Sequence, residues 1–215
     1  YLLVAANASV FVYQISLSDV ELVRFVHTWG LIPRQLVVDL NPNSLSTPFT
    51  SMFLHGGWEH VLLNMWMFYI FGDNVEDWLG RWRFVAFYTV CGLGAAAAQI
   101  LVGPSSQVPM IGASGAISGV LGAYLRLYPR ARVVTIVPPF FFLPFLMPAG
   151  FFIFIWFIFQ LVAGLGQLGA MATEAGGIAF FAHIGGFLTG FYLIRRIRRR
   201  PNPDYGWYRP KSDVH

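Results

Sequence analysis

Residues 112–127 read GASGAISGVLGAYLRL, and this stretch decides the fold. It predicts a helix from Ser114 to Leu127, lined with small residues (Gly115, Ala116, Gly119). The run is apolar, yet it is short of the about 20 residues that a full bilayer span needs. Such a helix begins inside the membrane depth. Backbone that starts there is tolerated only where it lines a cavity or is buried in protein. The stretch therefore predicts a helical membrane bundle in which the start of this helix lines a cavity or is buried in protein.

Composition agrees with that solvent. Hydrophobic residues make up 56% of the 215-residue chain, charged residues 11%, and the mean hydropathy is +0.60. Soluble domains carry about 25% charged residues. The lone cysteine, Cys91, lies in an apolar run and reads as a small packing residue. One cysteine leaves the redox compartment open.

Working outward, the sequence predicts six membrane helices, near 1–16, 58–79, 82–102, 114–127, 149–165 and 178–195. An amphipathic connection covers about 17–56, and a Pro-rich stretch from Pro129 to Pro148 precedes the fifth helix. The expected organisation is a membrane domain over 1–197 and a basic cytoplasmic tail over 198–215. Tyr1 opens the chain in place of a methionine, which suggests that upstream residues are missing.

The net charge of +4 raises nucleic acid as a partner, but its distribution argues for a bilayer. With a cytoplasmic N-terminus, Arg81, Arg83, Arg126, Arg130, Arg132 and the run from Arg195 to Lys211 fall on one side. Only Arg24 and Arg34 fall on the other, which is the positive-inside asymmetry. The arginine cluster after the last helix reads as an anchor to anionic lipid.

Polar groups inside membrane helices are costly and mark function. They concentrate in HGGWEHVLLN (55–64), GASG (112–115) and AHIGGFLTG (182–190). His60 and Asn64, four apart, share one helix face. Ser114 and His183 both stand near the start of helices that descend from the extracytoplasmic side, so the four residues share a depth. Gly186 and Gly190 form a GxxxG face that lets two helices pack closely, bringing Ser114 within reach of His183. An adjacent imidazole activates a serine by taking its proton.

These segments, with GLIP at 30–33 and the stretch 129–160, resemble the rhomboid intramembrane proteases over about residues 4–195. The resemblance implies an all-α, six-transmembrane-helix bundle and a serine endopeptidase that uses a Ser-His dyad and no cofactor. Ser114 matches the nucleophile and His183 the base. His60 and Asn64, with the Ser114 backbone N–H, match the oxyanion hole. His55 and Ser118 are accessory candidates, and Gly112, Gly115, Gly186 and Gly190 match packing positions. No acid matches a third triad member. Some members place an aromatic residue where this chain has Ser118, so what orients the His183 ring stays open between Ser118 and water.

The implied partners are transmembrane protein substrates, the lipid bilayer and a larger membrane complex. The expected location is the bacterial inner (plasma) membrane, with the site opening to the extracytoplasmic side. Substrate entry is expected through the fifth helix, held by Phe152, Trp156 and Phe159, and a glycine-rich loop from Gly164 to Gly177.

Zinc is disfavoured because neither HExxH nor HxxEH occurs, Gly56 standing where the latter needs histidine. A transporter would carry intramembrane charge or an inverted repeat. A non-catalytic rhomboid-like protein that binds membrane helices, or serves a complex, is the main alternative.

Overall fold

The computed structural model describes residues 1–135, 144–169 and 180–198. Its longer helices are α1 (Leu2–Ile15), α2 (Asp19–Trp29), α5 (Trp58–Leu79), α6 (Arg81–Val102), α7 (Ser114–Leu127), α8 (Ala149–Gly169) and α9 (Phe180–Leu193). Two short helices, α3 (Pro33–Val37) and α4 (Thr47–Thr50), lie in the connection between α2 and α5.

Local chemistry explains several boundaries. Ser18 and Glu21 form a reciprocal capping box at the start of α2, which satisfies donors the first turn leaves open. Gly80, at φ 81°, ends α5 and starts α6 with no intervening loop. A left-handed residue at that corner favours glycine, which has no Cβ to clash.

The centre of the bundle is α7, buried along almost its whole length. Around it pack α5, α6 and α9. A Cβ on Gly119 would collide with Cys91 of α6, and one on Gly122 with the backbone of Phe187 on α9. Cys91 is therefore a packing residue, as expected from the sequence. Phe68 of α5 packs against Phe84 and Tyr88 of α6, with ring centroids 5.7 and 5.6 Å apart, while Phe71 of α5 packs on Tyr124 of α7.

Two observations refine the fold class. The chain is mostly helical but not all-α. The Pro-rich stretch contains an antiparallel pair, β1 (Arg132–Thr135) and β2 (Phe145–Pro148), with Arg132 opposite Pro148. The hairpin is tied to the end of α7 and the start of α8, since Ala149 N–H donates to Ala131 O at 2.7 Å and Gly150 N–H to Pro129 O at 2.9 Å. Second, α6 is the one helix among the described residues that is long and apolar enough to cross a membrane. α1 and residues 149–162 of α8 are apolar but shorter. α5 is as long as α6 but carries Glu59, Asp73, Glu76 and Asp77.

The fifth expected helix is also longer than its sequence reading. It continues through Gly164 and Gly166 to Gly169, positions that the sequence reading assigned to a loop. Residues 170–179, including Glu174, Gly176 and Gly177, lie outside the described residues, as does the basic tail beyond Arg198.

Candidate active site

Three helices begin at one end of the bundle. Ser114 is the first residue of α7, His183 stands on the first turn of α9 and His60 on the first turn of α5. α7 and α9 run parallel through a seam of glycines. A Cβ on Gly186 would collide with the carbonyl oxygen of Gly115, and one on Gly190 with that of Gly119. Gly115 itself faces α6, where an added Cβ would lie 2.7 Å from Ala95 Cβ. Backbone-to-backbone approach is what small residues permit between membrane helices.

The seam brings Ser114 Oγ to 2.8 Å from His183 Nε2. The other ring nitrogen, Nδ1, lies 2.8 Å from Gln160 Oε1 of α8. The Trp156 indole, one turn earlier on α8, packs beside the imidazole with ring centroids 6.0 Å apart. Ser118, a candidate to hold that ring, does something else. Its hydroxyl donates to the Ser114 carbonyl at 2.6 Å, the i−4 back-bond common for serine within helices.

His60 approaches from α5. Gly56 N–H donates to its Nδ1 at 3.3 Å. A neutral imidazole with Nδ1 accepting carries its proton on Nε2, so Nε2–H is the outward donor. A Cβ on Gly112 would lie 2.7 Å from that Nε2 and 3.7 Å from Ser114 Oγ. The sequence reading grouped Gly112 with the packing glycines, and the group it packs against here is the His60 imidazole. It leaves room for His60 beside Ser114, and its φ of 123° is one that residues with a side chain rarely adopt. Asn64, one turn along from His60 and 6% exposed, donates one amide N–H to the His60 carbonyl at 3.0 Å. Its NH₂ group has a second N–H to offer. The first backbone N–H groups of α7 add further donors here, because a helix start has no intrahelical acceptors for them.

The connection from α2 to α5 pins this loop. Leu31 and Met110 exchange backbone hydrogen bonds of 3.0 and 2.8 Å, and Gly112 N–H donates to Ser51 O at 2.9 Å. His55 stands behind His60, with ring centroids 5.1 Å apart. The Gln14 side chain of α1 clamps its backbone, donating to His55 O at 3.0 Å and accepting from His55 N–H at 2.9 Å. Burial, and after it the adjacent His60, pushes the His55 imidazole down to about 4.

The Rhomboid domain family matches residues 42–200, well over half of the chain. The chain belongs to the rhomboid family. RHOMBOID-like protein 4 of Arabidopsis thaliana is 32% identical over 167 residues, covering 74% of this chain and 35% of that protein. Rhomboid protein 1, mitochondrial, of Saccharomyces cerevisiae is 27% identical over 198 residues, covering 88% and 47%. Presenilin-associated rhomboid-like protein, mitochondrial, of Mus musculus is 29% identical over 153 residues, covering 67% and 36%. The chain spans less than half the length of these relatives. The rhomboid domain makes the chain an integral membrane protein. Relatives named mitochondrial do not single out the bacterial inner membrane expected from the sequence.

Within this rhomboid domain the structure gathers Ser114, His183, His60 and Gly112 at one point, with Asn64 adjacent and His55 behind. Sequence reasoning missed Gln160 and Gln14. Each is a buried polar side chain in an apolar helix, and that was the available signal.

Proposed function

We propose that this rhomboid is an intramembrane serine endopeptidase. The observation that carries the reading is the 2.8 Å contact between Ser114 Oγ and His183 Nε2, with His60 Nε2 held beside Gly112. Ser114 Oγ attacks a peptide carbonyl while its proton passes to His183 Nε2. The carbonyl oxygen becomes an oxyanion, received by His60, Asn64 and the Ser114 backbone N–H. His183 then gives its proton to the departing amine, leaving an acyl ester on Ser114. Water attacks that ester, with His183 again taking the proton, and the second product leaves as an acid. Each oxyanion donor is worth about 3–4 kcal/mol in soluble proteases.

The substrate in this reading is the top of another protein's transmembrane helix, unwound where its backbone meets Ser114. This reading has six spans, a cytoplasmic N-terminus and tail, and a site opening to the extracytoplasmic side, and the sorting of arginines supports it. Arg81, Arg83, Arg126 and Arg195 stand at the helix ends remote from Ser114, in keeping with that orientation. The dyad itself needs no cofactor.

A fluorophosphonate probe tests the proposal. Labelling of the purified protein that is lost in both Ser114→Ala and His183→Ala supports it. A wild-type protein that takes no label, with folding intact, favours the non-catalytic reading in which the chain binds membrane helices without cutting them.

A further inference from the structure

We infer that Gln160 is the positioning residue of the His183 base, standing where no acid is present, and that α8 thereby controls the geometry of the dyad. The inference rests on the serine-protease reading and adds a residue to it. Two contacts of equal length bracket the imidazole, Nε2 to Ser114 Oγ and Nδ1 to Gln160 Oε1, each at 2.8 Å. An amide oxygen only accepts. Facing it, Nδ1 carries the proton, and the neutral ring then presents Nε2 as a lone pair toward the serine. That is the tautomer a general base requires. The opposite tautomer would put a proton between the ring and Ser114 Oγ and could accept nothing from it.

Burial gives the contact its strength. Gln160 is 7% exposed and stands in the apolar run Phe151–Val162 of α8, where an amide without a partner is costly. The pairing satisfies both groups and adds no charge to the interior, where a carboxylate would be penalised by desolvation. The spacing is also specific. Ile153, Trp156, Phe157 and Gln160 fall at i, i+3, i+4 and i+7, which is the inward face of α8. Trp156 and Gln160 therefore contact His183 from one helix, while Ser114 comes from α7 and His183 from α9. Displacing α8 outward would leave Ser114 and His183 paired through the glycine seam but remove what sets the tautomer. The base is competent only when α8 is seated.

The test uses the full chain in detergent micelles with Gln160→Met, which keeps length and loses the acceptor, and Gln160→Glu, which keeps an acceptor oxygen. The readouts are kcat and KM for a peptide substrate, the rate of fluorophosphonate labelling, and the imidazole nitrogen NMR spectrum, with His183→Ala assigning the His183 signals. Wild type is expected to show the proton on Nδ1. Gln160→Met should give mixed tautomers, a kcat and labelling rate lower by on the order of 10–100-fold, and KM within about twofold. That loss is smaller than the about 10⁴-fold seen when a charged orienting partner leaves the wrong tautomer. Gln160→Glu should recover most of the rate. A wild-type ring protonated on Nε2, or a Gln160→Met protein with unchanged tautomer and labelling, overturns the inference. Absence of labelling and cleavage in the wild type would defeat the protease reading instead, while the nitrogen spectrum, which needs no turnover, still decides the role of Gln160.

Discussion

Gly56 N–H donates to His60 Nδ1, four residues later, at 3.3 Å. With Nδ1 accepting, a neutral His60 ring carries its proton on Nε2, the nitrogen nearest Gly112. The same contact explains a feature of HGGWEH: the loop before α5 turns its backbone toward the histidine of the first helical turn.

An oxyanion donor acts in the transition state more than in the bound substrate. His60→Ala and Asn64→Ala should therefore lower kcat by on the order of 10–1,000-fold, with a much smaller change in KM. Steady-state kinetics on a peptide substrate decide the point. Unchanged turnover in both variants would remove these residues from the site.

The glycine seam should be intolerant of even one methyl group. Gly186→Ala and Gly190→Ala drive a Cβ into the Gly115 and Gly119 carbonyls. Overpacking of this kind costs at least about 1–3 kcal/mol and spreads α7 from α9. The expected result is a lower melting midpoint and loss of probe labelling. Gly190→Ala protein that melts and labels like wild type would show that the two helices are not held together by this contact.

His55 gives the fold a pH dependence. Its imidazole is held near 4 in the folded chain, against an ordinary value of 6.5. Between those values the unfolded chain takes up the proton and the folded one does not, so stability falls as pH drops. Its full contribution is present above about 6.5 and lost progressively toward 4. Melting in detergent across that range should decline more steeply for wild type than for His55→Gln. Parallel declines would place the acid sensitivity elsewhere.

Access is the next prediction. Phe152 of α8 stacks on Phe71 of α5, with centroids 6.1 Å apart and rings 16° from parallel. Trp156 packs against His183, so its removal would disturb the base as well as α8. Phe159, grouped with them in the sequence reading, is 66% exposed on the outer face. Phe152→Ala therefore isolates a gate between α5 and α8. It should raise cleavage of a transmembrane substrate while changing a short soluble peptide less, as expected when opening limits turnover. Equal or lower transmembrane cleavage, with folding intact, would point to entry along the connection at 17–56.

Much of this was legible in the residues. The bounds of α5 and α7 coincide with their sequence readings because glycine corners and the switch to small-residue periodicity mark them locally. Ser114, His183, His60 and Asn64 were legible because a polar group in an apolar helix stands out. The β1–β2 hairpin was not, since the pairing of Arg132 with Pro148 is nonlocal and its segment is dense in proline. Gln160 was not legible because the residues around Ser114 offered only Ser118 or water as a partner for the His183 ring, whereas the hydrogen bond comes from α8. Gly112 looked like one more packing glycine until the structure placed His60 against it.

Cleavage itself is the most direct measurement. Purified wild-type protein and its Ser114→Ala and His183→Ala variants, reconstituted in lipid vesicles, would be incubated with a single-span substrate protein and the products sized by mass spectrometry. Wild type is expected to make one cut near the extracytoplasmic end of the substrate helix, and either variant none at equal folded content. Persistent cleavage at the same bond by Ser114→Ala would contradict the serine-protease reading.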